Sequence, residues 1–152
     1  MTSTLKADKI EGVTASGTVQ MPAGHVVQTV RMTPTTTQTL TTSTSYVDTN
    51  LTLAITPKFS NSFIILQASG SLLINGGSFF YYRLYRNSSD IGLDHQINGD
   101  YGSNGVAFSA TITYTDAPAS TSTQTYMIKL KSSGASTYIY REQHMILQEI
   151  AQ

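Results

Sequence analysis

The side chains in this sequence that could do chemistry are few and scattered. Three histidines, His25, His95 and His144, have no partner at metal-ligand spacing, such as two histidines four apart on one helix face, so no metal site is expected. His25, at the start of a strand, could face symmetry mates near a threefold axis, but the plainer reading is a half-buried polar strand residue. Asp90, Asp94 and Asp100 lie in or beside a glycine- and asparagine-rich stretch, and NGDYGSNG superficially suggests a calcium turn. A calcium loop needs carboxylates at alternate positions and usually a closing glutamate, and neither is present. These acids read instead as turn residues that cap their own backbone. Sugar hydrolysis would need two carboxyl groups roughly 5–9.5 Å apart, and none of the nine acidic residues stands in a recognisable setting. There is no Gly-x-Ser-x-Gly elbow and no phosphate-cradling loop. Without cysteine, disulfides and thiolate chemistry are excluded. The expectation is a protein that is not an enzyme and needs no cofactor.

Tyrosine is the overused aromatic, with nine copies. A tyrosine beside a loop suits sugar faces and protein contacts, because the ring offers area and the hydroxyl a hydrogen bond at small entropic cost. Tyr101 is the best single candidate for ligand contact, supported by His95, Asn98, Asp100 and Asn104; packing of the loop itself is the competing reading. Phe80, Tyr82, Tyr138 and Tyr140 read as subunit-interface or core residues. Asn87-Ser88-Ser89 formally matches a glycosylation acceptor, which is a coincidence if the chain is made in a cytoplasm.

These residues must be positioned by strands. The most apolar stretch, Ser62 to Tyr85, contains two β-rich runs, Phe63 to Ile74 and Phe79 to Tyr85, separated by Asn75-Gly76-Gly77-Ser78. The glycines suit a tight reversal, so a central hairpin is expected. Alternation puts Phe79 and Tyr81 on one side of the second run and Phe80, Tyr82 and Leu84 on the other. One side can meet the domain's own core; the other is expected to be covered by another copy of the chain. Around this pair, His25 to Met32, Asn50 to Thr56, Val106 to Tyr114 and Thr125 to Lys131 read as strands. Tyr138 to Tyr140 and His144 to Ile150 read as a closing pair. The threonine-rich stretch after Met32 reads as an edge strand or surface crossing, and Gly92 to Gly105 as a long loop. About eight strands and no helix predict an all-β antiparallel sandwich or barrel.

Length and composition bound the rest. The chain of 152 residues suits one domain, able to bury roughly 70% of its unfolded surface. Net charge is zero and only 12% of residues are charged, so no basic stripe exists to neutralise phosphates and nucleic acid is an unexpected partner. Serine and threonine make up about a quarter of the chain, so hydroxyls rather than ions cover the surface. Apolar runs are too short to insert in a membrane, and MTSTLKADK lacks the apolar core of a signal peptide. Residues 1–23 carry isolated apolar side chains at Leu5, Ile10, Val13, Val19 and Met21, spaced for neither a helix nor one long strand. They read either as a mobile tail or as a strap that orders on a partner. Pro22-Ala23-Gly24 marks the boundary with a domain over residues 24–152.

The opening STLKADKIEGVTASGTVQMPAGHVVQTV resembles the amino-terminal leader of small structural proteins of tailed bacteriophages, especially marine and cyanobacterial phages. The body, with TSTSYVDTNLTLAITPKFSNSFIILQASGS, FYYRLYRNSSDIG, ATITYTDAPASTSTQTYMIKLKSSGASTYIY and ILQEI, is similar to the jelly rolls of complement C1q and tumour necrosis factor type found in phage fibres. The resemblance implies an antiparallel jelly-roll sandwich that assembles as a homotrimer on a virion, joined to other virion proteins through Leu5, Ile10, Val13, Val19 and Met21. Its distal loops would be free to touch a host surface glycan or protein. Such a fold has more strands than the residue pattern yields, and the threonine-rich segment and Gly92 to Gly105 are where the missing ones would lie. Tail fibre and capsid-attached head fibre or decoration protein are both compatible with this, and a free carbohydrate-binding module is the reading from another class.

Overall fold

A computed structural model describes residues 22–34, 37, 39–74, 79–98, 106–133 and 138–152. The predicted extended segment 1–21, and with it Leu5, Ile10, Val13, Val19 and Met21, lies outside the described residues. Nine strands and no helix are formed among the described residues: β1 (Val26–Arg31), β2 (Thr39–Thr41), β3 (Val47–Ile55), β4 (Phe63–Ile74), β5 (Phe79–Arg86), β6 (Ser89–Asn98), β7 (Val106–Asp116), β8 (Gln124–Ser132) and β9 (Tyr138–Ile150). They make two antiparallel sheets. In the first the order is β1-β9-β4-β7, with β2 pairing the far half of β9; in the second it is β3-β8-β5-β6. These interleaved crossovers are those of a jelly-roll sandwich.

The alternation that predicts the strands also places the core. Ile64, Leu66, Ala68 and Leu72 of β4 and Met145 and Leu147 of β9 point inward from the first sheet. Leu51 and Ile55 of β3, Phe80, Tyr82 and Leu84 of β5, and Tyr126, Ile128 and Leu130 of β8 meet them from the second. Because side chains alternate at period two, each of these strands buries one face only.

The expected central hairpin is not formed. β4 is bound on one edge by β7, from Ile64↔Asp116 to Ile74↔Val106, and on the other by β9, from Phe63↔Ile150 to Ile74↔Tyr138. β5 is likewise flanked by β8 and β6. The two runs therefore lie in opposite sheets and face each other across the core, an arrangement that buries both apolar faces where side-by-side pairing would leave both in one layer. Tertiary pairing overrides the local turn signal. The tight hairpin is instead β5–β6, closed by Asn87 and Ser88, with φ of +48° and +71°, the sign pattern of a type I′ turn.

Two further expectations are corrected. Ser89 to Asn98 is strand β6 rather than the start of a long loop, because pairing with β5 supplies the hydrogen bonds that its glycine and asparagine content disguised. The closing pair is one strand of 13 residues, continuous from Tyr138 to Ile150 and bulged opposite Gly70.

The sandwich has two distinct ends. At one, the Gly24 amide donates to the Ala151 carbonyl at 2.8 Å and the Ala151 amide to the His25 carbonyl at 2.9 Å, so the start of the domain and the end of the chain are tied together. At the other lie the ends of β4, β6 and β8 and the starts of β5, β7 and β9.

Candidate functional site

Asp100, Tyr101 and Asn104 fall outside the described residues. They belong to the connection between Asn98 and Val106, and both flanking residues lie at the end of the sandwich opposite Gly24. His95 and Asn98 are placed by their backbone on β6, in register with Tyr82 and Phe79. Tyr138 and Tyr140 open β9, in register with Thr41 and Thr39 of β2 and with Ile74 and Leu72 of β4. Of the two readings for Phe80 and Tyr82, subunit interface or core, burial selects the core. Phe80 is 0% and Tyr82 9% exposed within the single chain, so neither has surface left to offer a neighbour. Their ring centroids lie 6.4 Å apart with the planes tilted by 41°.

On the outward side of β5, expected to be covered by another copy, cations of the same chain lie against Tyr81 and Tyr85. Lys131 Nζ lies 4.6 Å from the Tyr46 ring centroid and 4.7 Å from that of Tyr81, and Lys129 Nζ lies 4.7 Å from that of Tyr85. The Arg83 guanidinium sits 4.9 Å from the Tyr46 ring. Arg83 also pairs with Asp90 at 2.7 Å, and Lys129 with Asp48 at 2.7 Å. Cations over ring faces satisfy the aromatic quadrupole, and their aliphatic stems cover apolar area while the charged heads stay in water. Phe79, on the same side of β5, is 38% exposed. The pattern of this face was present in the sequence as Tyr81, Arg83 and Tyr85 alternating on one strand and Lys129 and Lys131 on the next; what brings them together is the β5–β8 register, which pairs Tyr81 with Lys131 and Arg83 with Lys129.

A cleft of about 340 Å³ opens on the same face, lined by Asp48, Tyr85, Asn87, Ser88, Thr125, Met127 and Lys129. Next to its Asp48 wall, β3 bulges. Asp48 pairs with Lys129 and Thr52 with Met127, so three β3 residues oppose the single Ile128. The buried Thr49 hydroxyl donates to the Ile128 carbonyl at 2.5 Å and accepts from the Leu51 amide at 3.1 Å, replacing the ladder bonds that the bulge removes.

The outward face of the first sheet is of opposite character. Register sets its rows: Val26, Ile150 and Phe63; then Thr29, Gln148, Ile65 and Thr115; then Arg31, Ile146, Gln67 and Thr113; then His144, Ser69 and Thr111. Among the described side chains, ionisable groups on this face are Arg31 and His144. Val26 is 51% and Phe63 38% exposed, with Ile65, Ile146 and Ile150 half-buried beside them. Adjoining hollows of about 230 and 210 Å³ are lined by Ser69, Gly70, Ser71 and Ser109 and by Gln67, Thr111, His144 and Ile146.

The remaining acids serve the fold. Glu149, fully buried, accepts from the amides of Lys58 and Phe59, from the Ser62 hydroxyl and from Gln28 Nε2 at 2.6–3.0 Å. Burial alone would raise its pKa; these donors outweigh burial and hold it below the ordinary carboxylate value. The signal in the sequence is phase: Met145, Leu147 and Glu149 share the inward face of β9. His25 Nδ1 lies 3.1 Å from the Pro22 carbonyl, a local contact at the exposed start of the domain. Among the described residues, no group of three or more histidines, cysteines or acids is placed to hold a metal ion. No helix among them is long and apolar enough to cross a membrane. The chain matches no protein-family model and no curated protein.

Proposed function

We propose that this is a non-enzymatic structural protein of a phage virion, a homotrimeric fibre-type jelly roll. In this reading the first sheet packs on neighbouring copies, residues 1–23 join the particle, and the end carrying the Asn98–Val106 connection faces the host surface. The observation that carries the reading is the contrast between the two outward faces. Arg83, Asp90, Lys129 and Asp48 place two ion pairs on the second sheet, which also exposes Phe79. The first presents Val26, Phe63, Ile65, Ile146 and Ile150 among hydroxyls and amides, a composition suited to a subunit interface. Association also protects edge strands poor in charged gatekeepers and multiplies weak surface contacts. The resemblance of the leader and body to phage fibre proteins supports the virion setting, and the opposed ends support attachment at one and contact at the other.

Analytical ultracentrifugation tests it. The full chain should sediment at about 50 kDa, three chains of 16.5 kDa. Ile65→Lys combined with Ile146→Lys should give folded monomers, while Lys131→Glu on the second sheet should leave the trimer. Deleting residues 1–23 should leave a folded trimer that no longer joins the particle. A wild-type chain that stays monomeric at high concentration would defeat the proposal.

A further inference from the structure

We infer that the cleft beside the β3 bulge is a binding site for a neutral saccharide. Its floor is the Tyr85–Met127 pair, directly opposed in the β5–β8 register and both half-buried. One wall is the Asp48–Lys129 ion pair and the other the Asn87–Ser88 turn. A pyranose has an apolar face of C–H groups and a rim of hydroxyls. Lys129 Nζ lies over one face of the Tyr85 ring at 4.7 Å, so the ring's other face and the Met127 thioether meet the first, and carboxylate, ammonium and hydroxyl groups meet the second.

Three features narrow the ligand class. The lining charges are Asp48 and Lys129, which neutralise each other at 2.7 Å, so an acidic sugar or phosphate gains no net attraction. The Asp48 side chain is 66% exposed, which leaves most of its carboxylate in solvent to accept from sugar hydroxyls. At about 340 Å³ the cleft stands at the small end of the roughly 300–1,000 Å³ range of ligand sites, which suits one or two sugar units. Such an open site binds a single unit weakly, and repetition over several copies raises the avidity.

The site is also built into the backbone. Beside it β3 bulges at Thr49–Leu51, and the buried Thr49 hydroxyl fastens the bulge to the Ile128 carbonyl of β8. On the other side, Asn87 is fixed in its turn by accepting from the Thr125 amide and donating to Gln124 Oε1, both at 2.8 Å. The site is contained in one chain and does not depend on trimer formation or on the host-facing role of the Asn98–Val106 connection.

The full chain should be applied to an array of neutral hexose and N-acetylhexosamine oligosaccharides beside sialylated and sulfated ones. The neutral glycan retained best is then titrated by nuclear magnetic resonance. Tyr85→Ala should weaken binding about tenfold or more, Asp48→Asn should weaken it measurably, and Tyr101→Ala should bind like wild type. Circular dichroism establishes that each variant is folded, and Asp48→Asn, an exposed isosteric change, carries the test if Tyr85→Ala is not. An array that retains no neutral glycan, or folded cleft variants that bind like wild type, would overturn the inference. Loss on Tyr101→Ala alone would move the site to residues 99–105, overturning the cleft while leaving host contact at that end intact. A silent array from a chain that sediments as a trimer would overturn the cleft and leave the assembly reading standing.

Discussion

The Tyr126 hydroxyl donates to Asp116 Oδ2 at 2.6 Å, and that same carboxylate oxygen receives the Arg86 guanidinium at 2.6 Å. Asp116 ends β7 in the first sheet, while Tyr126 and Arg86 stand on β8 and β5 in the second, so the triad fastens one sheet to the other at the end shared with Gly24 and Ala151. Burial, and after it the Asp116 carboxylate, pushes the phenol well above its ordinary value of 10.0, so it stays a donor. Burial alone would lower the Arg86 pKa, but Asp116 and Tyr126 outweigh it and the guanidinium stays charged.

Tyr126→Phe deletes one hydrogen bond to a charged acceptor at nearly constant shape and should cost about 1.5–3 kcal/mol. Asp116→Ala should cost more, because it leaves a buried phenol and a half-buried cation without their acceptor. Urea denaturation of both variants and of the double variant measures the coupling. Agreement of Tyr126→Phe with wild type within experimental error would show that the bond adds no net stability.

Glu149 ties β9 to β1 through Gln28 and to the β3–β4 connection through Lys58, Phe59 and Ser62. Glu149→Gln keeps the shape but turns an NH₂ toward these donors, and should cost roughly 2–3 kcal/mol, lowering the melting temperature by about 5–10 °C. The native pKa lies below the ordinary 4.5. Stability from this carboxylate is therefore complete above that value and is lost as pH falls through the depressed native pKa. Between about pH 5 and pH 2 the wild type should lose more stability than Glu149→Gln. Parallel pH profiles for the two proteins would refute this role.

Ser88 occupies the second position of the β5–β6 turn at φ +71°, where a side chain is strained and glycine is not. Ser88→Gly should stabilise the fold by about 0.5–1 kcal/mol, read as a higher denaturation midpoint with an unchanged slope. A destabilised Ser88→Gly would mean that the serine side chain contributes more than the strain it carries.

The local alternation of apolar and polar residues determined, without any structure, that this chain is all-β and that Phe80, Tyr82 and Leu84 share a face. Val106 to Tyr114 and Thr125 to Lys131 were legible for this reason: side chains at period two need no knowledge of the partner strand. Edge pairing could not be read in the same way. Asn75-Gly76-Gly77-Ser78 looks like a hairpin turn from within, yet β4 and β5 part into opposite sheets because four other strands occupy their edges. For the same reason β6 was hidden, since its hydrogen bonds come from β5 and not from its own composition. The Tyr85 cleft, the lysines over Tyr81 and Tyr85, and the outer face of the first sheet, poor in charge among the described side chains, follow from registers between strands distant in sequence. Burial pattern is a property of each segment, whereas neighbours across a sheet are set by the free energy of the whole chain, so only the tertiary structure decided which outward face carries the ion pairs and which carries Val26, Phe63 and the half-buried isoleucines.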